Sequence, residues 1–134
     1  MQPNQPIEEN FPVVVVDDDA TTGEVICAIL EGEGYPTTYF MDGATALSAV
    51  QAARPALVTL DWRLRGAMTG EELFRALRQS ADTASIPILI CTAEAHLLER
   101  QPTLRGRATE VVTKPFDLDD LLTVVSRLAQ AQNF

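Results

Sequence analysis

The chain has 134 residues, 46% hydrophobic and 22% charged, which is the size and balance of one folded domain and leaves no room for a second sizeable one. Nineteen acidic against ten basic residues give a net charge of −9, which argues against nucleic acid and anionic membrane surfaces as partners. No apolar run reaches the ~20 residues of a bilayer span. The opening MQPNQPIEEN has neither the basic start nor the apolar stretch of a signal peptide. Cys27, Cys91 and the single His96 supply neither a disulfide scaffold nor a zinc site, so a reduced, cytoplasmic domain is expected.

Residues 1–10, polar and with two prolines, read as a flexible arm before a domain at 11–130, with 131–134 as a tail. Val13 to Val16, four valines in a row, suit a strand buried on both faces. Val25, Ile26, Ile29 and Leu30 recur at helical spacing from Ala20 to Gly32. Pro36 to Phe40 forms a second strand, Asp42-Gly43 turns into a helix closed by Pro55, and Ala56 to Leu60 forms a third strand. A loop from Trp62 to Thr69 leads to a helix over Gly70 to Gln79. Pro87 to Cys91 is the fourth strand, Ala93 to Gln101 a short helix cut by Pro102, and Thr109 to Val112 a weaker fifth strand. Asp117 caps a closing helix that runs to Gln130. Strands alternating with helices imply a parallel sheet covered on both sides, with ligands beyond the carboxyl ends of its strands.

Those ends carry the chemistry. Strand one ends in Asp17-Asp18-Asp19, strand three in Asp61, strand four in Thr92, and strand five just before Lys114. Carboxylates crowded together repel, so a cation is the natural way to hold them. Oxygen ligands without thiolate or imidazole select Mg2+. Lys114 and Thr92 add a point charge and a hydroxyl suited to phosphoryl oxygens. The parts describe a site that holds or moves phosphate.

From Phe11 to Leu128 the chain resembles a receiver domain of bacterial two-component response regulators, on VVVVDDD, LVTLD, PILICTA and TKPF in that order and at those strand ends. The resemblance implies an α/β, flavodoxin-like three-layer sandwich: a five-stranded parallel sheet in order 2-1-3-4-5 with five helices. It implies that Asp61 takes a phosphoryl group from a histidine kinase or histidine phosphotransfer protein. Asp17, Asp18, Asp61 and the backbone carbonyl of Arg63 would hold Mg2+, Lys114 would contact the phosphoryl oxygens, and Thr92 would shift toward them. Signalling would follow through altered contacts with a downstream protein target, from a monomer or weak dimer with no catalytic turnover beyond its own phosphotransfer and dephosphorylation. Arg63 and Glu94, each two residues beyond a site residue, are expected to approach one another and shield the acyl phosphate from water.

Departures from the family pattern are visible. The loop WRLRGAMTG is one residue longer than usual and carries Arg65 where proline is most common; Val111 replaces the aromatic residue that moves with the threonine; Pro102 implies a short or irregular fourth helix. Asp19 is expected to cap a helix, His96 to lie exposed, Cys91 to be buried, and Trp62 to cover the site while reporting on its neighbour Asp61. The acidic surplus, Glu31, Glu33, Glu71 and Glu72 included, reads as solvated surface.

Two other functions compete. VVVVDDDATT also fits the first motif of haloacid-dehalogenase-like, Mg2+-dependent phosphatases, with Asp17 as nucleophile, Asp19 as general acid, and Thr21. The later acidic pair of that family is missing, because Asp119-Asp120 fall inside the last helix. The third reading is a phosphate-independent interaction module that keeps only the fold. Only AQAQNF follows Leu128, so a complete chain would act through protein contact or pass phosphate onward, whereas an excised one would belong to a hybrid kinase or longer regulator.

Overall fold

A computed structural model describes residues 11–94, 96–104 and 108–131. The elements run β1 (Val13–Val16), α1 (Ala20–Gly32), β2 (Thr37–Phe40), α2 (Gly43–Ala53), β3 (Leu57–Asp61), α3 (Gly70–Gln79), β4 (Ile88–Thr92), α4 (Leu97–Arg100), a 3-10 turn at Pro102–Leu104, β5 (Thr109–Thr113) and α5 (Leu118–Ala131). All neighbouring strands are parallel and the sheet order is β2-β1-β3-β4-β5. This is the expected flavodoxin-like order. The expected arm at 1–10 lies outside the described residues, and the closing helix extends to Ala131, the first residue assigned above to the tail.

The sheet is covered on both sides, and alternation along each strand decides which side chain goes where. Val14 and Val16 enter one core, with Val58 and Leu60 of β3, Ile88 and Ile90 of β4, Val50 of α2, Leu73 and Leu77 of α3 and Leu97 of α4. Val13 and Val15 enter the other, with Leu57, Leu89, Ile26 and Leu30 of α1, and Leu121 and Val125 of α5. Four consecutive valines thus serve two cores at once, as expected of a strand with no wet face. Each fully buried aliphatic side chain contributes about 1.5–3 kcal/mol by leaving water.

Local signals fix the helix starts. Asp19 caps α1, accepting hydrogen bonds from the Thr21 amide at 3.3 Å and the Thr22 hydroxyl at 2.7 Å. Asp42 caps α2 through the Thr45 amide, and Thr69 and Glu72 form a reciprocal capping box on α3. Arg54 ends α2 in the left-handed region at φ 48°, directly before Pro55.

The fourth helix corrects the sequence reading. It occupies a single turn, Leu97–Arg100, rather than Ala93 to Gln101. Ahead of it the Thr92 hydroxyl accepts from the Glu94 amide at 3.0 Å, the kind of bond by which Asp19 opens α1, yet α4 starts only at Leu97 and has no side-chain cap of its own. At its end Pro102 has no amide donor and disfavours helical backbone at Gln101, which adopts φ −135° and ψ 70°.

Candidate functional site

Register brings the acidic strand ends together. Val16 pairs with Leu60, so the next residues, Asp17 and Asp61, emerge side by side at the carboxyl end of the sheet's middle. Ligand oxygens of Asp17, Asp18 and Asp61 all lie within 4.8 Å of one another. Asp17 and Asp61 are buried, at 1% and 7% exposure, while Asp18 is partly exposed. Lys114, delivered by the end of β5, places Nζ 3.1 Å from Asp17 Oδ2 and 3.6 Å from Asp61 Oδ2. Its backbone amide donates to the Thr92 carbonyl at 2.6 Å, which ties the lysine to the end of β4. The Lys114–Pro115 peptide is cis.

Backbone donors orient each carboxylate. The Asp19 amide donates to Asp17 Oδ1 at 2.9 Å, and the Arg63 amide to Asp61 Oδ1 at 3.0 Å. Asp18 Oδ2 accepts from the Arg65 amide at 3.0 Å and from Arg65 Nε at 2.8 Å. Burial raises the Asp61 carboxyl above its ordinary range, assisted by the Asp17 and Asp18 charges and opposed by the Arg63 amide and Lys114. Burial pushes the same way on Asp18, but the Arg65 guanidinium and amide outweigh it and hold that carboxyl low. Burial works to lower the Lys114 ammonium, but its bond to Asp17 and the charges of Asp61 and Asp17 outweigh it and raise it. An uncompensated third carboxylate with only oxygen donors nearby is a set that fits a hard divalent cation.

A second set of residues supports this one and was not legible in the sequence. The Tyr39 hydroxyl, from β2, donates to the Asp17 carbonyl at 2.7 Å. Its ring lies where a Cβ on Gly23 would be, 2.3 Å away, so the glycine makes room for the tyrosine. A Cβ on Gly70 would stand 2.2 Å from the Asp61 carbonyl oxygen, so α3 begins directly against the backbone that carries the acid. No motif spacing marks Tyr39; only the pairing of Val15 with it across the sheet brings it within reach.

The other expected positions divide clearly. Thr92 is fully buried at the end of β4. Arg63 and Glu94 meet as expected, with Nη1 3.0 Å from Oε2, and Arg100 of α4 joins Glu94 from the other side. Asp19 is occupied as a helix cap and takes no part in the cluster. His96 is exposed, and Cys91 is buried with its thiol pushed up to about 12 by that burial. Trp62 packs in the core, 5.8 Å centroid to centroid from Phe74 and edge-on to it. Val111 is half-buried against the core on the α2–α3–α4 side. Among the acidic residues read as surface, Glu72 closes the α3 capping box and Glu71 pairs with Arg75.

The family model for the response regulator receiver domain matches residues 13–126, and the chain belongs to that family. It is 39% identical over 113 residues to the DNA-binding response regulator MtrA of Mycobacterium tuberculosis, a match covering 84% of this chain and 48% of that one. It is 34% identical to the phosphate regulon regulator PhoB of Rhizobium meliloti over 116 residues, 87% of this chain and 51% of that one. The chain thus spans about half the length of the curated relatives it matches. Among solved structures, the chemotaxis protein CheY4 of Vibrio cholerae superposes with a TM-score of 0.78 at 30% identity, covering 88% of this chain and 98% of that one. The receiver domain of the sensor histidine kinase PA1611 from Pseudomonas aeruginosa, solved with a magnesium ion in its active-site cleft, gives 0.80 at 26% identity, covering 90% and 98%. The chain is a receiver of phosphorelay signalling, and the cluster of Asp17, Asp18 and Asp61 fits the phosphoacceptor site of that class. The phosphatase alternative falls with this assignment. No helix among the described residues is long and apolar enough to cross a membrane.

Proposed function

We propose that Asp61 is the phosphoacceptor of this chain, receiving a phosphoryl group from the phosphohistidine of a histidine kinase or histidine phosphotransfer protein. The P–N bond of the donor, whose other ring nitrogen is protonated, breaks as a P–O bond to the Asp61 carboxylate forms, leaving an acyl phosphate and a neutral imidazole that keeps that proton. The observation that carries this reading is the meeting of Asp17, Asp18 and Asp61 oxygens within 4.8 Å beside the Lys114 ammonium. Asp17, Asp18, Asp61 and the Arg63 carbonyl would hold Mg2+, whose charge offsets the anionic oxygens of the incoming group.

The remaining residues have separate tasks. The Arg63 amide fixes the Asp61 carboxylate by holding Oδ1, which leaves Oδ2 as the oxygen toward Lys114. Lys114 neutralises phosphoryl charge and exchanges Asp61 for the new oxygens. Thr92, whose hydroxyl accepts from the Glu94 amide, reports the phosphate by turning that hydroxyl toward it and giving up this bond. Arg63 and Glu94 close across the rim and slow attack by water. Signalling proceeds through altered contacts with a downstream protein target, by shifting a two-state equilibrium. This reading places the domain at 11–130, in the cytoplasm, as a monomer or weak dimer that performs no turnover beyond its own phosphotransfer and dephosphorylation.

Trp62, next to Asp61 in the chain, supplies the test. Its fluorescence is titrated with Mg2+ and then with acetyl phosphate, in the native chain and in Asp61→Asn. The expected result is a response to both additions in the native chain and, in the variant, loss of the acetyl phosphate response with a Mg2+ response that persists at higher metal concentration, because asparagine keeps one ligand oxygen but not the charge. A donor response that survives in Asp61→Asn contradicts the assignment, and a Mg2+ response with no donor response supports the phosphate-independent module instead.

A further inference from the structure

We propose that Arg65 is a resident counter-cation of the acidic site, competing with Mg2+ for Asp18 and raising the concentration at which the metal loads. The inference rests on reading Asp17, Asp18 and Asp61 as metal ligands. Three carboxylates meet there, and among the described residues two side-chain cations answer them. Lys114 serves Asp17 and Asp61, and Arg65 serves Asp18.

The Asp18 contact is made twice through one oxygen. Oδ2 accepts both the Arg65 amide at 3.0 Å and Arg65 Nε at 2.8 Å. A proline at position 65 offers neither donor, so the arginine is what makes this arrangement possible. Gly66 follows at φ +108°, a backbone conformation side chains resist, and it turns the chain directly after the arginine. A guanidinium bonded to a carboxylate oxygen withdraws the electron density that a hard cation needs. It also places a positive charge beside the dication, and the two repel.

Arg65 is suited to yield. Its side chain is 82% exposed, whereas Lys114 is 22% exposed and held from both sides. At that exposure little of its surface is covered by protein, so little contact is lost when the guanidinium swings into water. The pair therefore acts as a threshold: Asp18 stays neutralised until a divalent cation displaces the arginine.

Mg2+ dissociation constants are measured by titration calorimetry on the native chain, Arg65→Met and Arg65→Lys. The methionine keeps the amide donor and loses the charge, and the lysine keeps the charge. Arg65→Met is expected to bind Mg2+ roughly two- to fivefold more tightly, the size of an exposed ion pair. Arg65→Lys is expected to stay near the native value. Equal or weaker binding by Arg65→Met, with the native chain binding normally, overturns the competition and leaves the metal site standing. If none of the three binds Mg2+, the reading of the metal site fails and the inference falls with it. Binding by Arg65→Met alone supports the inference.

Discussion

Asp61 is a carboxylate placed where water cannot solvate it well. Burial raises its carboxyl, with Asp17 and Asp18 adding repulsion, and the Arg63 amide and Lys114 only partly offset this. A carboxyl whose folded value is raised costs stability once it ionises. The cost is absent below the ordinary carboxylate value near ~4 and appears as pH rises through the folded value. Asp61→Asn removes that cost. In chelator, the variant is expected to melt at a higher temperature than the native chain at pH 7, and the gap is expected to shrink toward pH 4. A variant that melts lower at pH 7, or a gap that does not change with pH, contradicts the account of Asp61. Much of this scale was open to the sequence: the strand-end identities of Asp17, Asp18, Asp61, Thr92 and Lys114 announced the cluster. Tyr39 did not announce itself. A tyrosine on an edge strand reads as ordinary strand filling, and its bond to the Asp17 carbonyl exists only because Gly23 leaves room for the ring. Arg65 stood out as a departure, but its hold on Asp18, a residue 47 positions away, was not marked by any motif.

The element most exposed to error from sequence was the helix after β4. The residues after β4 have alanine, glutamate and leucine, all good helix formers, yet the helix begins only at Leu97, and nothing among the described residues explains the late start. That same interruption has a use. It leaves Glu94 outside any helix, between Arg63 of the β3–α3 loop and Arg100 of α4. The bridge crosses from the loop beside Asp61 to the segment after Thr92. Replacing both Arg63 and Glu94 by alanine is expected to speed loss of the phosphoryl group severalfold, with little change in stability because exposed pairs are worth ~0–1 kcal/mol. The check is the decay of phosphorylated protein after the donor is removed. An unchanged decay rate refutes the shielding role. By contrast, α1 and α3 matched their expected bounds, since Asp19 and Thr69 cap them with side chains visible in the sequence.

At the scale of the molecule, the sheet order does the assembling. β1 and β3 are neighbours at the centre, so two acids far apart in sequence emerge together, and β5 brings a lysine back across β4. Apolar alternation on both faces of these strands made this topology legible, because only a sheet covered on each side suits such runs. Signal transmission was less legible. Val111 lies against the core on the α2–α3–α4 side, where it has no polar atom to exchange between partners. Thr92, Glu94 and Arg100 form a continuous run of contacts from the end of β4 to α4.

The central claim is that the buried acid at the end of β3, and no other, carries the labile phosphoryl. Peptide mapping by mass spectrometry after treatment with acetyl phosphate and Mg2+, with reduction of the acyl phosphate to fix its position, addresses it directly. The account predicts modification at Asp61 alone, abolished by chelator. Modification within Asp17–Asp19, or none at any carboxylate in the presence of Mg2+, would contradict it.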